Sequence, residues 1–365
     1  MKRVFMTAAA CLLAGGLFAY NPPAGGQNLL RLSSPTQLTG AASAAGGALY
    51  DVLPDSMVTN PALPAFEQRI VLDVGATGLM DGNDDDGSLG GAFEAGLLIP
   101  SRRGVASFLL QEIFAPLVDM HLGDSINGTV GFAKDITDEV SVGISATLGV
   151  FWGYGTDWTG SIALGTYYNY GTLSFLKDLR FGVSLVNLGK MYNSTEVRGI
   201  SDDADYYKGG EAVRDAKWDY GDNWPSLATL RTGVAATLLE KDKFTLGASF
   251  DLAYPSFQNL VCDLGLQMQY ASFLKLSIAE ELDVRELAEG NKNLIPAVGL
   301  SFKFLFKSKA DSTITKFAGG EESEMTVSAA WHNMYEDVNA FSAGAVLKLG
   351  LEDRDPPKIT VWEDE

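Results

Sequence analysis

The segment Val140-Ser141-Val142-Gly143-Ile144-Ser145-Ala146-Thr147-Leu148-Gly149-Val150 decides the fold. Val, Ile, Ala and Leu occupy every second position, and Ser, Gly and Thr stand between them. A strand turns successive side chains to opposite faces, so this segment has one apolar face and one face of small, mostly polar residues. Its length matches the roughly 9–11 residues of a tilted membrane-crossing strand better than the mode of about five or six in soluble sheets.

The same period recurs along the chain. Ile126, Val130 and Phe132 oppose Asn127, Thr129 and Ala133, and Phe244, Leu246, Ala248 and Phe250 oppose Thr245, Gly247, Ser249 and Asp251. Bounded by turn signals, the pattern predicts strands near 67–79, 90–100, 103–114, 124–134, 140–153, 159–170, 179–188, 227–239, 244–255, 259–270, 274–282, 294–304, 324–334 and 340–351. That is fourteen, an even count, as closure of a single-chain bacterial barrel requires. Beyond the N-terminal leader there is no run of 18 apolar residues, which excludes a bundle of membrane helices. The expected fold is all-β: a transmembrane antiparallel β-barrel of about 14 strands. Aromatic residues near strand ends, Trp152, Tyr154, Trp158, Tyr167, Tyr168, Tyr170, Tyr254, Tyr270, Trp331 and Tyr335, suit the girdles of such a barrel.

Lys2 and Arg3 precede an apolar run from Val4 to Phe18 that ends in small residues, so residues 1–19 read as a secretory signal peptide. A lipoprotein reading would acylate Cys11, but Ala8-Ala9-Ala10 lacks the usual leucine. Without Lys2 and Arg3, 25 basic residues face 46 acidic ones, a charge of −21, which argues against nucleic acid as a partner. The single remaining cysteine, Cys262, cannot form an internal disulfide.

Connections at 100–103, 135–139, 240–243 and 271–273 are short and predicted to be periplasmic; those at 80–89, 189–226 and 283–293 fall outside. The connection at 305–323 is long yet lands on the short-turn side. The acidic stretch Asp81-Gly82-Asn83-Asp84-Asp85-Asp86-Gly87 fails the EF-hand pattern and reads as a solvated loop. Gly123-Asp124-Ser125 suggests a lipase nucleophile block. The only histidines, His121 and His332, lack the spacing to a carboxylate that such an enzyme needs, and two isolated histidines offer no zinc site. No enzyme activity, cofactor or metal is expected.

Residues 20–66 are too long for a mere leader into the first strand. They hold the small-residue run Leu38 to Ala48, then Asp51, Asp55 and Asn60-Pro61-Ala62-Leu63. Here the chain resembles the FadL-type long-chain fatty-acid transporters of the outer membrane. Asp178 to Gly189 and Pro225 to Val234 are similar to type IX secretion shuttle proteins and spirochaete FadL-like barrels. The resemblance implies an N-terminal hatch at 20–66 inside a barrel at 67–351. The run Glu352-Asp353-Arg354-Asp355-Pro356-Pro357 breaks the last strand, so 352–365 read as a periplasmic tail, a departure from the usual ending of such barrels on an aromatic strand. The resemblance further implies Asn60, Pro61 and Ala62 as the gating segment, and uptake of hydrophobic small molecules such as long-chain fatty acids with lateral exit beside the hatch. Ligand-lining residues do not carry over, because the Tyr154 to Trp158 connection is too short for the family's capture loop. The expected location is the bacterial outer membrane, with its lipid as a partner. The alternative is a barrel for protein interaction, meeting an envelope partner through the outer loop or the tail.

Overall fold

The computed structural model describes residues 31–41, 43–81, 89–114, 124–152, 155–192, 206–208, 211–213, 228–284, 287, 294–307, 322–334 and 338–350. In chain order the strands are β1 (Ile70–Asp81), β2 (Leu89–Ser101), β3 (Gly104–Phe114), β4 (Asp124–Asp135), β5 (Val140–Trp152), β6 (Thr156–Leu173), β7 (Leu176–Lys190), β8 (Tyr206–Lys208), β9 (Glu211–Val213), β10 (Thr229–Lys241), β11 (Phe244–Tyr254), β12 (Val261–Tyr270), β13 (Leu274–Asp283), β14 (Ala297–Lys307), β15 (Glu322–Asn333) and β16 (Val338–Leu349). Neighbours pair antiparallel, β7 bonds directly to β10, and β16 returns to β1, closing a barrel of fourteen strands. β8 and β9 pair only with each other, as a hairpin within the connection from β7 to β10, a stretch the sequence reading leaves without strands.

Each segment predicted from alternation is a strand of the wall. The long connection after β14 is therefore a true turn-side connection, and its residues 308–321 lie outside the described residues. Boundaries differ for local reasons. β1 begins at Ile70 because the Glu67 carboxylate accepts from the backbone N–H of Gln68 and Arg69, capping the chain before the ladder starts. β14 begins after Pro296, which has no N–H to give.

The wall inverts the pattern of a soluble protein. Val74, Phe93, Val130 and Leu148 are 55%, 56%, 52% and 69% exposed on the outer face, while Asp251, Gln111 and Arg180 are buried on the inner one. A closed barrel leaves no unpaired edge, so an apolar outer surface of this extent is solvated by lipid. The chain is a transmembrane β-barrel, and among the described residues no helix is long and apolar enough to cross a membrane. Period two also corrects one girdle assignment. Tyr168 points outward, so Tyr167 must point inward, where it is buried against Tyr50 and Phe66. Trp158, Tyr170 and Tyr270 do lie exposed on the outer face, and Tyr154 and Tyr335 lie outside the described residues.

Candidate functional site: the filled lumen

Residues 31–41 and 43–66 lie inside the barrel, with a π turn (Gln37–Ala41), a short helix α1 (Ser56–Thr59) and a 3-10 turn (Leu63–Phe66). Inward polar side chains hold this segment by its backbone. Asp251 on β11 accepts from Ala44 N at 3.2 Å, Gln267 on β12 from Leu49 N at 2.7 Å, and Arg180 on β7 donates to the carbonyls of Gly47 and Ala48 at 3.0 Å each. Ser184 donates to Thr59 O at 2.6 Å and Ser141 to Ala62 O at 2.9 Å. A coil in a lumen has no ladder of its own, so wall side chains must satisfy its buried amides and carbonyls.

Asn60, Pro61 and Ala62 sit together on β5 and β6. Asn60 Oδ1 accepts from Ala62 N at 3.0 Å, closing a side-chain turn, and Asn60 Nδ2 donates to Ala44 O at 2.7 Å and Thr166 O at 3.0 Å. Gly143 and Gly165, paired across β5 and β6, leave the space: a Cβ on Gly143 would overlap the Pro61 carbonyl, and one on Gly165 would overlap the Asn60 side chain. The wall behind these three residues is continuous, because β5 and β6 pair from Val140–Tyr168 to Trp152–Thr156.

The lumen is layered. At the end carrying the long connections, inward Leu79, Ala92, Ile113, Phe151, Tyr192, Met334 and Val338 form one buried apolar cluster, floored by Leu32 and Leu38 of the internal segment. Phe151 and Tyr192 stack at 4.1 Å between ring centroids. None of these residues was singled out as a site from the sequence. The available signal was a break in alternation, such as Phe151 directly after Val150 and Ile113 between Glu112 and Phe114 at the ends of their strands. Beneath them lies a charged layer: Arg31 bridges Asp263 and Glu281, both at 3.1 Å, and Arg231 reaches Asp263 at 2.9 Å. Nearer the short turns, Asp51 pairs with Lys275 at 2.5 Å and Lys348 at 3.1 Å. Burial alone would raise the Asp51 carboxyl, but Lys275 and Lys348, with Lys303 beyond, hold it well below the usual carboxylate range.

One seam in the wall stands out. Among the described residues the β13–β14 ladder has six rungs, from Leu274–Phe302 to Ala279–Ala297, and it stops where β14 begins at Ala297. A cavity reaches from Leu38 and Met334, under the apolar cluster, to Ala279 and Ala297 at the top rung, and the charged layer itself (Arg31, Asp251, Asp263, Glu281) lines it. The π turn packs behind this seam, with Thr39 filling the space that a side chain at Gly299 of β14 would need.

Ser125 of the suspected lipase block faces the lumen from β4 and accepts from Asn127 Nδ2 at 3.2 Å, whereas His332 stands on β15. His121, the acidic stretch 81–87 apart from Asp81 at the end of β1, residues 1–30 and residues 351–365 lie outside the described residues. Asp178 to Gly189 lies within β7, and Thr229 to Val234 lies within β10, the strand hydrogen-bonded to it, while residues 225–227 lie outside the described residues.

No protein-family model matches the chain, and no curated protein matches it. Among solved structures, it is similar to the Ralstonia pickettii toluene transporter TbuX (13% identity, 88% of this chain and 98% of that one, TM-score 0.46) and to a Pseudomonas aeruginosa FadL homologue (12%, 90% and 98%, 0.44). It is also similar to a deltaS2 mutant of the monoaromatic hydrocarbon channel TodX, at 11% identity over 89% of this chain and 100% of that one, with a TM-score of 0.52. At that identity the likeness to TodX speaks for the fold alone, and the fold this chain shares with that channel is the barrel described above.

Proposed function

We propose that this chain is a bacterial outer-membrane channel that takes up hydrophobic small molecules, with residues 20–66 as its hatch and residues 1–19 as the leader that directs its export. The observation that carries the reading is the buried apolar cluster at the long-connection end of the lumen, which lies over the charged layer and is distinct from the two apolar clusters that seat the internal segment nearer the short turns (Leu53 with Val71, Leu98, Val105 and Val346; Val52 with Ala62, Leu63 and Tyr167). An apolar ligand gains about 0.8 kcal/mol per buried methylene there and has nothing to gain from the charged layer below. That layer sets Asp251, Asp263 and Glu281 against Arg31 and Arg231, and Arg31 is already engaged by two carboxylates. A neutral hydrocarbon therefore meets less resistance than the carboxylate of a long-chain fatty acid, and this charge balance ranks the two ligand classes.

Exit is lateral, through the β13–β14 seam, and the π turn at Gln37–Ala41 is the moving part. In support, the cavity reaches from Leu38 and Met334 to the top rung of the seam past Arg31, whose charge Asp263 and Glu281 already balance, and single-turn π distortions concentrate at functional positions. Asn60, Pro61 and Ala62 serve the gate as its fixed anchor, because the wall behind them is closed and their hydrogen bonds are complete. Placement near the shuttle and spirochaete branches rests on the paired β7 and β10 stretches.

The test is binding of a fluorescent neutral hydrocarbon to the purified, detergent-refolded barrel, with a fluorescent fatty acid in parallel. Saturable binding is expected, tighter for the hydrocarbon, weakened at least tenfold by Ile113→Asp and altered by removing residues 57–64. No binding by the intact barrel would overturn the channel reading in favour of a protein-interaction barrel.

A further inference from the structure

Three carboxylates meet at the boundary between the internal segment and the wall, and the function proposed above uses none of them. Asp55 of the segment, Asp73 of β1 and Glu94 of β2 are each at least nine-tenths buried, and one oxygen from each lies within 4.8 Å of the others. Both oxygens of Asp55, Oδ2 of Asp73 and Oε1 of Glu94 have no hydrogen-bond partner. Among the described residues no Lys or Arg forms an ion pair with any of the three. The nearest cation of that region, Lys348, is engaged by Asp51 at 3.1 Å and Glu67 at 3.6 Å. An isolated buried carboxylate is costly and three together more so, which leaves neutralisation by protons or by a bound cation.

The local geometry favours the cation. Asp55 occupies the N-cap position of α1, where an aspartate normally accepts from the first turn, yet its side chain makes no cap bond. Ser56 performs the neighbouring polar task instead, its Oγ accepting from Leu53 N at 3.1 Å. The Asp55 carboxylate is thereby left aimed at the wall. Pro54 brings it there: Pro54 packs onto Gly96, directly opposite Asp73 in the β1–β2 register, where any Cβ would overlap it. Glu94 is fixed from the far side, with its Oε2 accepting from Ser33 Oγ at 2.7 Å and Gln111 Nε2 at 3.4 Å, which frees Oε1 for the cluster.

We propose that Asp55, Asp73 and Glu94 bind one divalent cation that ties the internal segment to the first hairpin of the barrel. An all-oxygen, all-carboxylate donor set selects a hard ion. Calcium ranks above magnesium, because magnesium dehydrates reluctantly and is seldom held by an all-protein cage, whereas all three carboxylates here are buried protein ligands. Each carboxylate comes from a different element, so the ion acts as a strut: binding it stabilises the docked segment, and removing it leaves three like charges pushing the segment from the wall.

The experiment is thermal melting of the full-length, detergent-solubilised barrel, stripped with EDTA and titrated with calcium chloride or magnesium chloride, for wild type, Asp55→Asn and Glu94→Gln. Calorimetric titration of calcium into the same proteins supplies a direct count of ions. The expected result is a calcium-dependent rise in Tm for wild type, larger than with magnesium, and one bound ion whose Kd weakens at least tenfold in either variant. Because both variants keep the acidic stretch 81–87, any calcium bound there persists in them and is distinguished. A wild-type barrel whose melting ignores calcium, or a variant that keeps the full response, would overturn the proposal. Glu94→Gln keeps the test decisive if Asp55→Asn fails to fold.

Discussion

At residue scale the internal segment is held by two kinds of contact, and each makes a prediction. Asp51 is an acid whose folded value is depressed by Lys275 and Lys348, with Lys303 near, while Glu67 shares Lys348 with it and Arg69 repels Lys348. A depressed acid contributes stability above its unfolded value of about 3.9 and loses it only as pH falls through its lower folded value. Acidifying from about pH 7 to about pH 4 should therefore leave this anchor intact, read as unchanged protection of residues 31–66 from protease. Loss of protection over that range would contradict the assignment. The second kind is steric. Gly143→Val should push Pro61 off the wall at a cost of about 1–3 kcal/mol, the usual range for overpacking, and expose the segment to protease while the barrel still forms. These contacts were unequally legible. Asn60-Pro61-Ala62 could be read because its turn closes within three residues. The Asp51–Lys348 pair joins residues 297 apart, and no local pattern announces it.

At element scale the strands were legible because alternation is a property of each one alone. The β8–β9 hairpin was not, since three residues per strand carry too little alternation to stand out in a long polar connection. Nor was the weak seam, because the number of rungs between β13 and β14 depends on where two strands stop relative to each other. The density of small residues from Leu38 to Ala48 did signal close packing, though not that its first part winds into a π turn behind that seam. If ligand leaves there, closing the seam should slow it. In a Cys262→Ser background, Ala279→Cys with Ala297→Cys places two thiols on paired residues. The oxidised barrel should then release hydrocarbon several-fold more slowly than the reduced one, measured as efflux from the loaded protein. Equal rates would put the exit elsewhere.

For the whole molecule, the barrel is a polar, filled interior wrapped in an apolar wall, so the same substitution has opposite meaning on the two faces. Val130→Arg places a charge on the lipid side and should destabilise the barrel by about 2–4 kcal/mol if it lies near the bilayer midplane, measured by reversible unfolding in lipid. This inversion was readable from the sequence, because apolar and polar positions alternate without regard to which face a soluble core would bury. The apolar layer inside the lumen was not, since it is assembled from single residues at the ends of strands far apart in the chain. In the proposed function that layer is where the hydrophobic molecule binds. The most direct test is uptake of radiolabelled toluene by cells carrying wild type, Phe151→Asp or no barrel. Uptake should be fastest with wild type and fall to the barrel-free rate with Phe151→Asp, whereas wild-type cells no faster than barrel-free ones, or a variant as fast as wild type, would contradict the account.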